Sequence, residues 1–462
     1  MMKYIKILIF ILICLIHLSC EDFVEIEIPD DRIINESVFS SDKTANSAVK
    51  GIYNQLYQAN FSSGFYTSIP VLSELSADNL KSTVTTENLL EFEANEIFIS
   101  NSYNLGIWSS AYNIIYMSNA VLEGLEGNGN ITTELKEKLI GEARFIRAFA
   151  YYYLVNLYGD VPLVLSTDYQ DNVSKSRNST LEVYNQIVED LGVAVGQLGN
   201  TYENSERLRA NRFTAMALLA RVYLHLEEWA LAEDYSTEII NATETFELLP
   251  HNEVFLANSK EAIWQISPRE GGASRTNTRE GELFILLDSP GRVALTEDLI
   301  QSFDSNDARL EQWIGLLETE NENYFFPYKY KVKNSTDDIL EYSMVMRLAE
   351  QYLIRAEARA EQDKLIASIE DVNKIRKRSN LSALNIPDSD LDQDEVITII
   401  LKERRKELFT EWGHRWFDLK RRRKADLILS SKKVLWEETD VFYPIPEDEL
   451  LKNPNLIQNP GY

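Results

Sequence analysis

The chain reads as a mainly α protein, one large helical body interrupted by two loop-rich stretches. Three observations predict this. Apolar residues recur at three- and four-residue steps through most of the length. Only 18 Gly and 12 Pro punctuate 462 residues. No Gly/Ser- or Pro-rich linker separates the periodic segments, so the ~150 residues per domain suggested by length alone does not divide this chain. Residues 42–462 are therefore expected to form a single domain, preceded by a leader (1–19) and a lead-in (20–41). Apolar residues make up 44%, an ordinary share for a soluble protein.

The leader carries Lys3 and Lys6 ahead of an apolar run from Ile7 to Ile16, too short for the ~20 residues of a membrane-spanning helix. Ser19 is a small residue just before Cys20, an arrangement that resembles a lipoprotein signal: cleavage frees Cys20 and lipid joins its sulfur. A plain secretory leader or an uncleaved anchor are the alternatives. Cys14 and Cys20 are the only cysteines, so the processed chain has no pair to oxidise, and neither thiolate catalysis nor a cysteine zinc site is available. Glu21 to Glu27 is acidic and aperiodic, a solvated tether.

Asp42 is expected to cap a helix through Ala45, Val49, Ile52 and Leu56. Residues 60–102, rich in Ser, Thr and Asn with interleaved aromatics, read as loops. Helical period returns at Trp108, Ala111, Tyr112 and Ile115. The central run from Gly141 to Leu165, GEARFIRAFAYYYLVNLYGDVPLVL, is apolar nearly all round, as only a helix in the middle of a protein can be. Gly159 and Pro162 end it. Ser179-Thr180-Leu181-Glu182 is a capping box, and Phe213 to Ile240 is a helical hairpin with small residues where two helices touch, as in tetratricopeptide pairs. Residues 267–296 are again loop-like, followed by a polar-aromatic segment from Trp313 to Tyr328. Leu348 to Ala360 and Leu365 to Val372 form another pair. Asp392 opens the last long helix, which is expected to include Ile397, Leu408 and Trp412. Four prolines in the tail from Tyr443 require it to lie extended over the body.

The net charge of −27 repels phosphate backbones, which excludes nucleic acid as a partner. Arg144, Arg147, Glu357, Arg404, Arg405, Glu411, Arg415 and Asp418 sit at helical spacing and are read as solvated faces or ion pairs between helices. Arg421 to Lys424 suits the negative end of a helix. His225, His251 and His414 lack ligand spacing, so no metal site is expected, and Asp304 to Asp307 reads as a turn. No cofactor motif, nucleophile elbow or phosphate loop appears, and no enzyme activity is expected.

Aromatics are the positive chemical signal. Sugars offer C–H faces that pack on flat rings, while Asn, Asp and Arg bond neighbouring hydroxyls. The loop-rich stretches hold Phe65, Tyr66, Tyr103, Trp313 and Tyr324, with Asp78, Asn79, Arg275 and Arg292 beside them. Of these, Tyr66, Asp78, Asn79, Arg292, Trp313 and Tyr324 are the candidate ligand-binding residues. The alternative for each ring is that it anchors a long loop.

Six segments in order, among them the central run, FSSDKTANSAVKGIYNQL, LRANRFTAMALLARVYL, IILKERRKELFTEWGHRWFDLKR and YPIPEDELLKNPNLIQNPGY, resemble the SusD/RagB family of surface nutrient-binding lipoproteins. The resemblance implies a fold of tetratricopeptide-like helix pairs supporting an irregular ligand-binding half. It also implies a surface-exposed, lipid-anchored protein of the outer membrane that captures glycan for a SusC-like TonB-dependent transporter. An exported glycan-cleaving hydrolase and a peptide- or protein-binding scaffold are the competing readings.

The anchor is open to a direct test. Cys20→Ala should release the protein from the membrane fraction or leave it unprocessed; unchanged retention and processing would remove the lipoprotein reading.

Overall fold

Ser41, rather than Asp42, opens the first helix, α1 (Asp42–Gln58): its hydroxyl accepts from the Thr44 amide at 3.4 Å. Asp42 lies in the first turn, where a carboxylate suits the helix dipole and accepts from the Thr132 amide at 2.8 Å. A computed structural model describes residues 38–268, 275–385, 387 and 392–462. The leader, Cys20 and all of the lead-in before residue 38 fall outside the described residues.

Residues 60–102 are more ordered than a loop reading predicts. They hold α2 (Ile69–Ser76) and α3 (Glu87–Ala94), joined through a short strand β1 (Leu80–Ser82). Every residue of α2 is buried, so no polar face remained to mark its period. α4 (Ser102–Leu125) is capped by Asn101, whose side chain accepts from the Tyr103 and Asn104 amides. The central helix α5 (Thr133–Tyr158) starts well before Gly141 and ends at Gly159, where φ is +71°. From Gly141 to Tyr158 only Arg144 and Asn156 are not buried, as an all-apolar surface requires.

The capping box at Ser179 and Glu182 opens α6 (Thr180–Gln197) as expected. The hairpin is α7 (Arg212–His225) and α8 (Trp229–Asn241), with Tyr223 and Tyr235 stacked at 5.7 Å between centroids. Next come β2 (Ala262–Ile266), a short helix Arg279–Phe284, β3 (Val293–Leu295), β4 (Ile314–Glu318), β5 (Asn323–Pro327) and β6 (Ser343–Arg347). α9 (Leu348–Glu361) and α10 (Leu365–Arg378) form the second pair, followed by α11 (Gln393–Leu408) and α12 (His414–Arg421). Asp392 caps α11, but the helix stops at Leu408, and Trp412 lies beyond it with φ +48°. Each helix from α4 to α10 packs on its successor. Against the middle of α5, Phe149 meets Trp264 at 4.9 Å and Trp412 at 5.3 Å.

The strands pair as three antiparallel couples, β1–β3, β2–β6 and β4–β5. The first couple ties the stretch after α2 to the stretch before residue 300. The tail holds one short helix, Glu447–Lys452, and otherwise lies across the body: the Tyr443 amide donates to Leu157 O at 2.9 Å, and Asn104 Nδ2 donates to Pro444 O at 2.8 Å.

Helix-spaced charges turn out to be buried pairs. Arg144 and Arg147 share Asp190, Arg404 holds Asp418, and Arg421 holds Glu357. Arg347, 1% exposed, binds Glu261 at 2.9 Å, Glu407 at 2.5 Å and Glu411 at 2.7 Å.

A different buried acid shapes the turn into α2. Gly64 has φ +76°, and a Cβ there would lie 2.3 Å from the carboxyl carbon of Glu280, so only glycine fits. Glu280 is 3% exposed, accepts from the Ser343 hydroxyl, and keeps its other oxygen without a partner. Burial pushes its carboxyl up from 4.5 to about 7. With the folded value raised, the stability contributed by the neutral acid is present below pH 4.5 and lost as pH rises through about 7. Glu280→Gln should match wild type near pH 5 and exceed it by roughly 1–3 kcal/mol near pH 8 in denaturant titrations. An equal difference at both pH values would show that this carboxyl does not titrate in that window.

Candidate functional site

Short polar residues in the turn before α2 set the first ring. Ser68 donates through its hydroxyl to Phe65 O at 2.5 Å and through its amide to the same oxygen at 2.9 Å, which holds Phe65 and Tyr66 half out of the protein. Their rings lie 4.4 Å apart, tilted by 51°. Tyr103, in the first turn of α4, meets Tyr66 edge-on at 5.7 Å. Its position is set by Asn101, which accepts from the Tyr103 amide at 2.9 Å and donates to Glu91 at 2.6 Å. Burial, with Tyr66 alongside, pushes the Tyr103 phenol up.

The second loop region supplies cations. Thr83, just after β1, donates its amide to Arg292 O at 3.0 Å, and this brings the Arg292 guanidinium to 4.2 Å from the centre of the Tyr66 ring. Arg279 lies 5.9 Å from the Phe65 ring and 4.8 Å from that of Tyr57. Phe65, Tyr66, Tyr103, Arg279 and Arg292 thus form one partly exposed cluster of ring faces and forked donors, suited to apolar C–H faces with flanking hydroxyls.

Tyr324 stands on β5, which lies beside β3. Lys81 of β1, paired with Ala294 of β3, reaches over the Tyr324 ring at 5.8 Å and binds Glu322 at 2.7 Å. Tyr324 is therefore carried by the same strands that present Arg292.

Three of the candidates are engaged elsewhere. Trp313 ends a short helix (Ala308–Trp313) with its ring inward and 0% exposed, packed by His251 at 4.7 Å and Phe255 at 5.7 Å, with Lys329 Nζ at 4.7 Å. Its Nε1 donates to His251 O at 3.1 Å, so it has no face for a ligand. Asp78, 6% exposed, binds Arg415 and Lys432 at 2.7 Å each and Arg405 at 3.2 Å. Burial opposes ionisation, yet these cations hold Asp78 well below the usual carboxylate range. Asn79, wholly buried, donates to Glu74 at 2.7 Å and accepts from Arg405 at 2.8 Å. Asp78 and Asn79 anchor β1, and through the Thr296 bonds to both of their carbonyls they anchor β3. Arg275 is exposed and paired with Glu282 at 2.5 Å.

Sequence reasoning missed Arg279. The available signal was its place in an aperiodic stretch, which does not say which way a side chain points. Among the described residues no group of three or more His, Cys, Asp or Glu could hold a metal ion, and no helix is long and apolar enough to cross a membrane.

Comparison with known proteins agrees with this architecture. A family profile described as starch-binding and associating with the outer membrane matches residues 26–224, and the profile of the SusD family matches residues 311–462. SusD-like protein P25 of Formosa agariphila is 25% identical, covering 100% of both chains. A SusD superfamily protein of Bacteroides vulgatus superimposes with a TM-score of 0.80 at 21% identity, over 91% of this chain and 99% of that one. A laminarin-binding SusD-like protein gives a TM-score of 0.78 at 21% identity, over 92% and 100%. With two profiles of one family matching its two ends and SusD folds covering the length between, the chain belongs to the SusD/RagB family, a starch- and glycan-binding family associated with the outer membrane.

Proposed function

We propose that this protein is a non-catalytic, surface-exposed lipoprotein, anchored through Cys20, that captures glycan on the Phe65–Tyr66–Tyr103–Arg292 cluster and delivers it to a SusC-like TonB-dependent transporter. The observation that carries this reading is the half-exposed Tyr66 ring, edged by Phe65 and Tyr103 and faced by Arg292 at 4.2 Å. Rings on core helices cannot serve, because they are buried against one another. The family's starch-binding description and the laminarin-binding structural neighbour support a glycan ligand. Stacking contributes ~0.5–1.5 kcal/mol per ring, so an open platform binds weakly and gains affinity along a polymer. Trp313, Asp78 and Asn79 support this surface from within, and the ligand contacts fall to Tyr66, Arg292 and, at the rim, Tyr324.

Polysaccharide binding separates these roles. Tyr66→Ala and Tyr324→Ala should each weaken binding to a starch and laminarin panel roughly two- to tenfold with an unchanged thermal midpoint. Trp313→Ala should instead cost about 3–5 kcal/mol of stability through the cavity it leaves. Full affinity in both tyrosine variants, or new reducing ends released from the panel by wild type, would overturn the reading.

Delivery is tested separately. Pull-down from mildly solubilised outer membrane should recover a TonB-dependent transporter as the main companion, and recovery of the protein alone would count against that role.

A further inference from the structure

One cavity of this acidic chain concentrates positive charge. A cavity of ≈ 750 Å³ opens between α11, α12 and the short helix Ala425–Leu429, away from the residues of the ring platform. Part of its wall is apolar, from Leu401, Leu419, Leu427 and Ile428. The rest is dominated by cations, most of which are already matched. Arg405 and Lys432 share Asp78 and Asp298, Arg415 binds Asp78, and Lys406 meets Asp304 and Glu403. Two carboxylates line the cavity: Asp304 meets Lys406 at 3.4 Å, and Asp418 is taken by Arg404 and Arg421 at 2.7 Å each. Burial opposes its ionisation, but those two arginines keep it well below the usual carboxylate range.

Two cations remain. Lys402 and Lys424 both line the cavity, both are exposed, and neither has an ion-pair partner among the described residues. The uncommitted charge of the cavity is therefore positive, in a protein whose net charge is −27. The volume falls within the ~300–1,000 Å³ of small-ligand sites. An apolar wall faces sugar C–H groups, and ammonium groups bond a carboxylate or a sulfate ester.

We propose that this cavity is a second binding site, specific for an anionic saccharide unit carrying a carboxylate or sulfate group, with Lys402 and Lys424 as its acid-recognising residues. The site rests on the reading that the protein binds glycans, but it uses none of the platform residues.

The test is titration calorimetry on the full chain with trigalacturonate, a sulfated galactotriose and neutral galactotriose. Wild type should bind at least one anionic probe, and the carboxylate and sulfate arms tell which acid is recognised. The Lys402→Gln, Lys424→Gln double variant should weaken that binding by about tenfold at an unchanged thermal midpoint. Raising ionic strength from about 0.01 M to about 1 M should weaken wild type comparably. The Lys402→Arg, Lys424→Arg variant should retain affinity, since charge is the feature read. Tyr66→Ala should leave anionic binding intact, whatever it does to neutral polysaccharide, and this separates a failure here from a failure of the platform. Absence of binding by both anionic probes, equal affinity in the glutamine variant, or loss in the arginine variant would overturn the proposal.

Discussion

Arg347 is the point on which both halves of the molecule depend. It ends β6 and immediately precedes α9, and its three carboxylate partners come from three places: Glu261 before β2, Glu407 near the end of α11, and Glu411 just beyond it. Arg378 of α10 shares Glu261 and Glu407, and Arg309 adds Glu403 and Asp307 at 2.7 Å each. Lys329 donates to Glu411 and to the carbonyls of Glu407 and Phe409, which fastens the foot of the β4–β5 hairpin to the end of α11. Isolated buried charges cost far more than they return, so a network of this size survives only with every member matched. What it contributes is register. A slide of α11 against β6 would leave arginine and glutamate unpaired in the interior together.

That register reaches the candidate ligand face through short elements. β1, β3 and β5 are too brief to be stable by themselves. Their positions are inherited from Asp78, held by Arg405 of α11 and Arg415 of α12, and from Lys329 below the hairpin. Tyr66 and Arg292 therefore project from loops, and Tyr324 from β5, all held in place by the helices. A platform ordered before ligand arrives loses little entropy on binding, which matters when each contact is weak.

The helical layer was legible because amphipathic period and capping chemistry are local. The Ser179–Glu182 box, the α7–α8 hairpin and the Asp392 cap could all be read within a few residues. α2 was hidden for the opposite reason: it is buried on every side, its one charged residue, Glu74, included, so its eight residues show no exposed polar stripe. Trp412 looked like one more turn of α11 because its spacing fits, whereas the chain turns left-handed there and at Thr410, with φ +56°. Within the candidate site, Tyr66 and Arg292 stand out in the sequence only as residue types in aperiodic stretches. Asp78, Asn79 and Trp313 had the same sequence character, and their direction is decided by partners distant in sequence: Arg415 for Asp78, Arg405 for Asn79, and His251 and Phe409 for Trp313.

The tail has a consequence in time. Asn104 and Pro444 are bonded across 340 residues, and Asn459 closes on Tyr158 from 301 residues away. On a ribosome, α4 and α5 emerge long before these partners exist. Their termini keep open carbonyls and amides, and the rings of Phe92 and Tyr158 lack Tyr443, until residues 443–459 have been made. Completion of the core is thus deferred to the end of synthesis. The central helix α5 therefore cannot finish packing until the last segment has left the ribosome.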